Sequence, residues 1–366
     1  MKALIGYLKT NPLDILIIAL PLALFAKFLG WGDLWVFILS AAGMIPMAGY
    51  IGRATEVLAV YTGPRVGGLL NATLGNAAEL IITLVAIREG LLELVKASIT
   101  GSILGNLLLV LGFAMVLGGA RHGVQVFDRR HAGNQAILLM LTIVALVIPS
   151  LFSHSIGTDT SVKVEALTLG VAGVMIVLYV LGIIYSFKSS AKPTITTPST
   201  EESTHHPGWS LRTSIIILAG ATVGVVVLSE MLVGAVEPVV AQLGWSEFFM
   251  GIILIPIIGN VAEHLVAVQV AIHNKMELSV EIALSSSLQI ALFVAPVLVF
   301  ISLLMGNPLT LIFNQFELIA LGAGVVIAAL VASDGESNWL EGGTLVAVYL
   351  ILGLAFFLLP TIPLAN

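Results

Sequence analysis

The chain has 366 residues, of which 58% are hydrophobic and only 10% are charged, and its mean hydropathy is +1.08. This composition excludes a soluble domain of this size, and apolar runs near twenty residues recur, so the sequence predicts an all-α polytopic membrane protein. Strand-like alternation typical of a barrel is absent, the net charge of −6 says little about partners, and the lack of cysteine excludes disulfides and thiolate metal sites.

The apolar runs predict eleven transmembrane helices. Their expected ranges are 14–30, 33–61, 66–90, 93–118, 132–153, 162–187, 211–240, 245–273, 277–305, 311–331 and 340–363. Pro21 is expected to interrupt the first helix, and Gly43, Pro46 and Gly49 to bend or break the second. The first run has the length of a spanning helix and no small-residue cleavage signal, so we expect it to be retained. The polar stretch 188–210 is expected to be a linker.

Basic residues predict which ends of the helices face the cytoplasm. With eleven helices and the N-terminus inside, the cytoplasmic segments hold 11 of the 15 lysines and arginines. The positive-inside rule therefore supports the odd count and a cytoplasmic linker. The eleven are Lys2, Lys9, Arg53, Arg65, Arg121, Arg129, Arg130, Lys188, Lys192, Arg212 and Lys275, and the other face keeps Lys27, Arg88, Lys96 and Lys163.

The chain contains an internal repeat. An offset of 184 residues aligns Gly-Asn-x-Ala-Glu at 75–79 with the same motif at 259–263, and an offset of 174 aligns Thr-Glu-Val-Leu at 55–58 with Ser-Glu-Met-Leu at 229–232. Five helices in each copy make the two copies enter the membrane from opposite sides. Inverted repeats are typical of secondary transporters that bind substrate at the midplane. We therefore predict an extra N-terminal helix (1–32), a first five-helix repeat (33–187), a linker (188–210) and a second repeat (211–366).

Glu79 and Glu263 are the most informative residues. An acid inside a membrane-length segment is costly and marks a functional site. A single such glutamate could be a structural hydrogen bond between helices, but two at matched repeat positions favour a function. Asn76 and Asn260 each precede the acid by three residues, which on a helix places both side chains on one face. Whether the asparagines bind an ion or position the acids stays open.

Further oxygen donors lie near these acids along the chain. They are Ser102 and Asn106 in the first repeat, and Ser286 and Gln289 in the second. Ca²⁺ takes about six to eight oxygen ligands, and two carboxylates neutralise one divalent ion. Gly75 and Gly259 are expected to let the backbone open or pack closely beside each acid. Mn²⁺ also accepts oxygen ligands, so these residues leave the metal open, and the serines have an alternative role in helix packing.

The same two acids, Glu79 and Glu263, are predicted to carry protons. Without a cation, a low-dielectric surrounding favours the neutral carboxylic acid. Protons and metal would then compete for the same oxygens. Mutually exclusive occupancy of one site, combined with alternating access, is sufficient for ion exchange.

Glu56, Glu230 and His264 are weaker candidates. Glu56 and Glu230 lie nearer helix ends, where they could line an ion path or simply be paired charges. His264 follows Glu263 directly, and successive helical side chains diverge, so an interface histidine is the alternative to a place on the path.

At these residues the sequence resembles the cation/proton exchanger family, typified by Ca²⁺/H⁺ antiporters. The similarity covers nearly the whole chain, with Ala-Thr-Glu-Val-Leu-Ala at 54–59, Gly-Gly-Leu-Leu-Asn-Ala-Thr-Leu-Gly-Asn-Ala-Ala-Glu-Leu at 67–80, and the segments 101–112, 259–264, 285–292 and 334–342. The resemblance implies an extra helix plus two inverted five-helix repeats, and Ca²⁺ coordination by Glu79 and Glu263. The family's serine and amide neighbours correspond to Ser102, Asn106, Ser286 and Gln289. Ser285 departs from the glycine of many members. The linker holds only two acids, Glu201 and Glu202, so regulation by an acidic linker is not expected. No long tail precedes the first helix, so autoinhibition by such a tail is not expected either.

We therefore expect a Ca²⁺/H⁺ antiporter that exports Ca²⁺ from the cytosol, with Ca²⁺ and H⁺ as substrates and no cofactor. The alternatives are an Na⁺/Ca²⁺-type exchanger, a broader divalent exchanger that accepts Mn²⁺, and a passive cation channel. An intramembrane enzyme is disfavoured, since the sequence lacks His-Glu-x-x-His and Asp-rich diphosphate motifs. No nucleic-acid partner is expected, and homo-oligomerisation stays open. The short chain without a targeting extension favours a prokaryotic plasma (inner) membrane.

Overall fold

A computed structural model describes residues 12–157, 161–188 and 209–359. These residues form twelve helices and one two-stranded ladder, which confirms the predicted all-α class. The helices are α1 (Pro12–Leu29), α2 (Asp33–Thr62), α3 (Pro64–Leu74), α4 (Ala77–Arg88), α5 (Leu92–His122), α6 (Arg129–Ile156), α7 (Val162–Lys188), α8 (Leu211–Leu243), α9 (Glu247–Ile272), α10 (Met276–Met305), α11 (Gln315–Val331) and α12 (Trp339–Leu358). The strands β1 (Gln125–Val126) and β2 (Glu336–Ser337) pair antiparallel.

Nine of the helices in these described ranges are long and apolar enough to cross a membrane. The shorter apolar helix α11 and the consecutive pair α3 and α4 cover the two remaining predicted segments. Within the described residues, each of the eleven predicted segments therefore consists mainly of helix, although the one expected at 311–331 begins only at Gln315. Most of the predicted linker, 189–208, and both chain ends lie outside the described residues. The repeat boundaries stay a prediction.

The interruptions of the helices differ from the predicted ones. The expected continuous helix at 66–90 is wrong, because the chain leaves helical geometry between α3 and α4, where Asn76 has φ −94° and ψ 20°. In contrast, α2 runs without a break through Pro46. In α1 the expected interruption is a change of helix type just before Pro21, because Pro12–Ile18 is a 3-10 helix and the α-helical part begins at Ala19. Pro21 thus lies in the first turn of the α-helical part, where proline is tolerated. The break therefore lies beside Glu79.

Contacts between loops group the helix ends as the predicted topology requires. The β1–β2 ladder joins the loop after α5 to the loop after α11. The Gln125 side-chain amide also donates to Asn274 Oδ1 in the loop after α9, at 2.9 Å. At the opposite face, Lys96 Nζ near the start of α5 donates to the Ile312 carbonyl oxygen before α11, at 3.0 Å. The loops after α5, α9 and α11 are those predicted on the same side as the linker, and we call this side the linker face. That this face is cytoplasmic stays a prediction.

The helices of the predicted site lie at the centre of the molecule. We compare the buried share of an apolar 18-residue stretch in each helix. This share is 72% in α5 and 61% in α10, but only 22% in α1, α7 and α12. The extra helix α1 is held at the periphery by the buried Asp14, whose carboxylate lies 2.8 Å from Arg53 Nη2 and accepts from Tyr50 Oη at 3.1 Å, both on α2. The predicted site is thus surrounded by protein rather than by lipid.

Candidate functional site: a cross-repeat cluster of carboxylates and amides

The site begins with a close crossing of α5 and α9. A Cβ atom on Gly101 would lie 2.0 Å from the carbonyl oxygen of Ile252, and one on Gly251 would lie 2.8 Å from Ala97 Cβ. Only glycine allows this approach at Gly101, because no side-chain movement relieves contact with a backbone atom. The crossing brings Ser102 of the first repeat beside Asn260 of the second.

Three helices of the site contain a π-helical segment. In α5 it spans Gly105–Val110, and in α10 it spans Ile290–Val294, which are equivalent positions under the repeat offset of 184. A third segment, Met250–Leu254, lies in α9. Such segments are frequent at functional sites, because the wider turn changes which side chains face inward. Asn106 lies inside the first segment, and Gln289 directly precedes the second.

The asparagines of the two repeats make equivalent contacts. Asn76 Oδ1 accepts from Ser286 Oγ at 3.3 Å, and Asn260 Nδ2 donates to Ser102 Oγ at 3.3 Å. Asn76 Nδ2 also donates to Gln289 Oε1 at 2.9 Å. All five side chains are buried. Each asparagine therefore contacts the opposite repeat, which joins the two halves of the chain.

The two glutamates have different surroundings. Glu79 is 2% exposed, and its Oε1 accepts from Asn260 Nδ2 across the repeats at 3.3 Å. Glu263 is only partly buried, and its Oε2 accepts from Ser286 Oγ within its own repeat at 2.8 Å. The pseudosymmetry of the asparagine contacts thus does not extend to the acids.

Each motif glycine lies beside the glutamate of the other repeat. A Cβ on Gly75 would lie 3.0 Å from Glu263 Oε1, and a Cβ on Gly259 would lie 3.7 Å from Glu79 Cβ. Close packing beside an acid was expected, but the sequence did not show that it occurs across the repeats. The expected opening of the backbone is found in the first motif only, at Asn76 directly after Gly75, since Gly259 lies inside the continuous helix α9.

Two buried polar atoms of the site lack a hydrogen-bond partner among the described residues: Glu79 Oε2 and Asn106 Nδ2. An unpartnered buried carboxylate oxygen is costly, so it calls for a bound cation or proton. Across the described ranges, no three His, Asp or Glu side chains gather at one point. The charge available to a cation is therefore that of two carboxylates, supplemented by amide and hydroxyl oxygens.

The three weaker candidates occupy different places. His264 Nε2 lies 3.1 Å from Asn106 Oδ1, so this histidine contacts a predicted site residue although it follows Glu263 directly. Glu230 is an exposed residue of α8 that lies 3.0 Å from Arg88 Nη1 at the end of α4, as in the paired-charge interpretation. Glu56 is exposed near the end of α2. Their roles along an ion path stay predictions.

The model of the sodium/calcium exchanger protein family matches residues 32–188 and 213–358 of the chain. The chain belongs to this family. It is 44% identical over 373 residues to the Ca²⁺/H⁺ antiporter of Synechocystis sp., covering 97% of this chain and 99% of the relative. It is 42% identical over 363 residues to that of Aphanothece halophytica, covering 95% and 96%. The solved structure of the Ca²⁺/H⁺ antiporter YfkE matches with TM-score 0.83 and 40% identity, over 95% of this chain and 100% of that chain.

These similarities confirm the resemblance to the cation/proton exchangers. As a member of an exchanger family, the protein is an integral membrane transporter and not an enzyme. Sequence reasoning missed the π-helical segments and the crossing at Gly101. The small residues at 98–102 are a signal for a close helix crossing in a membrane, whereas no pattern in the sequence indicates a π turn.

Proposed function

We propose that this exchanger exports Ca²⁺ from the cytosol in exchange for H⁺, with both substrates competing for Glu79 and Glu263. One observation carries the proposal: the carboxylates of the two repeats lie in one buried cluster of amides and hydroxyls, and Glu79 Oε2 has no hydrogen-bond partner among the described residues. Relatives of 42% and 44% identity are named Ca²⁺/H⁺ antiporters, which supports the choice of substrates.

The donor set favours a hard divalent cation. Two carboxylates balance its charge, and Ca²⁺ accepts neutral oxygens in a flexible shell, so the oxygens of Asn76, Asn260, Ser102, Ser286 and Gln289 complete a suitable set. Some of these oxygens already accept hydrogen bonds, so binding requires the amides to rearrange. Asn106 is a less direct ligand, because its Oδ1 lies against His264.

Proton exchange follows from the burial of the same acids. When Ca²⁺ leaves, two nearby carboxylates in a low-dielectric surrounding cannot both stay charged without cost. Binding of protons restores neutrality, and the protons must leave before Ca²⁺ returns. The different surroundings of buried Glu79 and partly buried Glu263 suit a site that opens to one side at a time.

Direction and membrane are part of the proposal. The distribution of basic residues supports a cytosolic linker and N-terminus, and the membrane is proposed to be a prokaryotic plasma membrane. Exchange then uses the inward proton gradient to expel Ca²⁺.

The test is Ca²⁺ transport by the purified protein in proteoliposomes. An imposed pH gradient should drive Ca²⁺ uptake against its own gradient, and collapsing the pH gradient should stop it. Flux that follows Na⁺ rather than pH would instead indicate an Na⁺/Ca²⁺-type exchanger. Competition by Mn²⁺ in the same assay measures whether the broader divalent alternative holds.

A further inference from the structure

Two buried contacts outside the site also join the repeats, one near each face of the membrane. Each is made by the third residue of a helix, His131 in α6 and Glu317 in α11. Both helices begin with a capping side chain, since Asp128 accepts from the backbone N–H of His131 and Asn314 accepts from that of Glu317. The two helices hold the same place in their repeats. His131 and Glu317 are thus equivalent positions on opposite faces.

The contact made by Glu317 is complete. Its Oε2 accepts from the backbone N–H of Asn314 at 2.8 Å, and its Oε1 accepts from Thr100 Oγ1 on α5 at 3.2 Å. Both carboxylate oxygens are therefore partnered, and the residue closes a capping box.

The contact made by His131 is incomplete. Its Nε2 lies 3.6 Å from Glu281 Oε1 on α10, and the two side chains are 10% and 5% exposed. This Nε2 is buried and has no hydrogen-bond partner among the described residues. The distance exceeds that of a hydrogen bond, but a proton on Nε2 would draw the pair to about 2.7–2.9 Å as a charge-assisted hydrogen bond.

The pair lies between the linker face and the exchange site. His131 follows the β1–β2 ladder at that face. Glu281 precedes Ser286 by five residues on the same helix, a distance of about 7–8 Å along the axis. A change in the α6–α10 contact can therefore shift the part of α10 that carries Ser286 and Gln289.

We propose that His131 and Glu281 form a second proton site, which holds α6 against α10 when protonated and so positions the α10 residues of the exchange site. The inference rests on the proposed Ca²⁺/H⁺ exchange. The buried Nε2 faces the Glu281 carboxylate and has no hydrogen-bond partner among the described residues, so a proton that reaches it from the linker face would complete the contact. The other titratable and charged groups on the surrounding elements at this face are Arg121, His122, Asp128, Arg129, Arg130, Lys188, His273, Lys275, Glu277, Asp334, Glu336 and Glu341, and the site residues Glu263 and His264 lie deeper on α9.

The experiment measures Ca²⁺ transport in proteoliposomes while the pH of the linker face alone is varied from 6 to 8. Glu281→Gln keeps the shape and hydrogen-bonding capacity of the side chain but removes the charge that would hold the proton. The matched control is Glu317→Gln at the equivalent contact of the other face. A second variant, His131→Gln with Glu281→Gln, replaces the pair by two amides.

In the wild type, the rate at saturating Ca²⁺ should change severalfold over this pH range. In Glu281→Gln and in the double variant it should become flat, while the half-saturating Ca²⁺ concentration still rises on acidification because Glu79 and Glu263 are intact. Glu317→Gln should behave as the wild type. The proposed proton site is refuted if the variants keep the wild-type pH response of the rate at saturating Ca²⁺. It is also refuted if this rate does not change with pH in the wild type. Loss of folding in both variants, with the control folded, would make the pair a structural anchor only. If wild-type Ca²⁺ flux ignores an imposed pH gradient, the proposed exchange itself fails.

Discussion

Replacing Glu79 by glutamine tests the two-carboxylate site most directly. In the wild type, Glu79 Oε1 accepts from Asn260 Nδ2, and Oε2 has no hydrogen-bond partner among the described residues. A glutamine must place its NH₂ group at one of these two positions. It either opposes the NH₂ group of Asn260 or points at the space where the proposed cation binds. In both cases the site loses one of two negative charges.

The size of the effect follows from burial. Glu79 is 2% exposed, so solvent does not screen the lost charge. Removing one partner of a buried charge pair costs about 3–5 kcal/mol. Since about 1.4 kcal/mol is a factor of ten, Ca²⁺ affinity should fall by roughly two to nearly four orders of magnitude. Glu263→Gln should have the same direction and a smaller effect, because Glu263 is only partly buried.

The assay combines pH-driven Ca²⁺ uptake in proteoliposomes with equilibrium binding to the detergent-purified protein. Glu317→Gln is the matched control, since it also removes a buried intramembrane carboxylate, but one whose partners are the Asn314 backbone and Thr100 rather than a predicted ligand. The control should transport Ca²⁺ nearly as the wild type does. Near-normal Ca²⁺ transport by purified Glu79→Gln would exclude a site that needs both carboxylates.

Three further predictions concern pH, helix packing and topology. Acidification from about pH 8 to 6 at fixed free Ca²⁺ should weaken Ca²⁺ binding severalfold, because protonated acids do not bind the cation. Calorimetry in buffers of different ionisation enthalpy should detect protons released on Ca²⁺ binding. Binding without proton release in this range would contradict shared occupancy of the site. Gly101→Ala should destabilise the purified protein by about 1–3 kcal/mol or more, because the new Cβ would lie 2.0 Å from the Ile252 carbonyl oxygen. The control Gly105→Ala has no neighbouring atom within 4 Å of the new Cβ and should melt nearly as the wild type. Equal melting temperatures of the two variants would disprove the close crossing. A cysteine introduced by Ser199→Cys would be the only thiol in the chain. It should react with an impermeant maleimide only after cells are permeabilised, and labelling in intact cells would show that the orientation is the reverse of the predicted one.

Much of the site could be predicted because its residues carry strong local signals. An acid in an apolar segment is costly, and its recurrence at an offset of 184 residues links Glu79 with Glu263 without any structure. The same offset pairs Ser102 with Ser286. The structure brings these residues into one cluster, although their roles as ligands stay predictions.

The contacts within the cluster could not be predicted, because spacing along one helix fixes only which side chains share its face. That Asn76 meets Gln289, more than two hundred residues away, depends on how α4 and α10 pack. The expected continuous helix at 66–90 failed for a related reason. Apolar periodicity indicates which residues are buried, and it contains no information about a local change of the backbone dihedral angles at Asn76.

Composition and spacing along the chain were therefore enough to predict the membrane class, the helical segments, the repeat and the two acids. The folded structure was needed to show that each motif glycine lies beside the other repeat's glutamate, that π-helical segments fall at equivalent positions of α5 and α10, and that His131 approaches Glu281. These features arise where two helices meet. Their geometry depends on side chains far apart in the chain, which no local pattern of residues records.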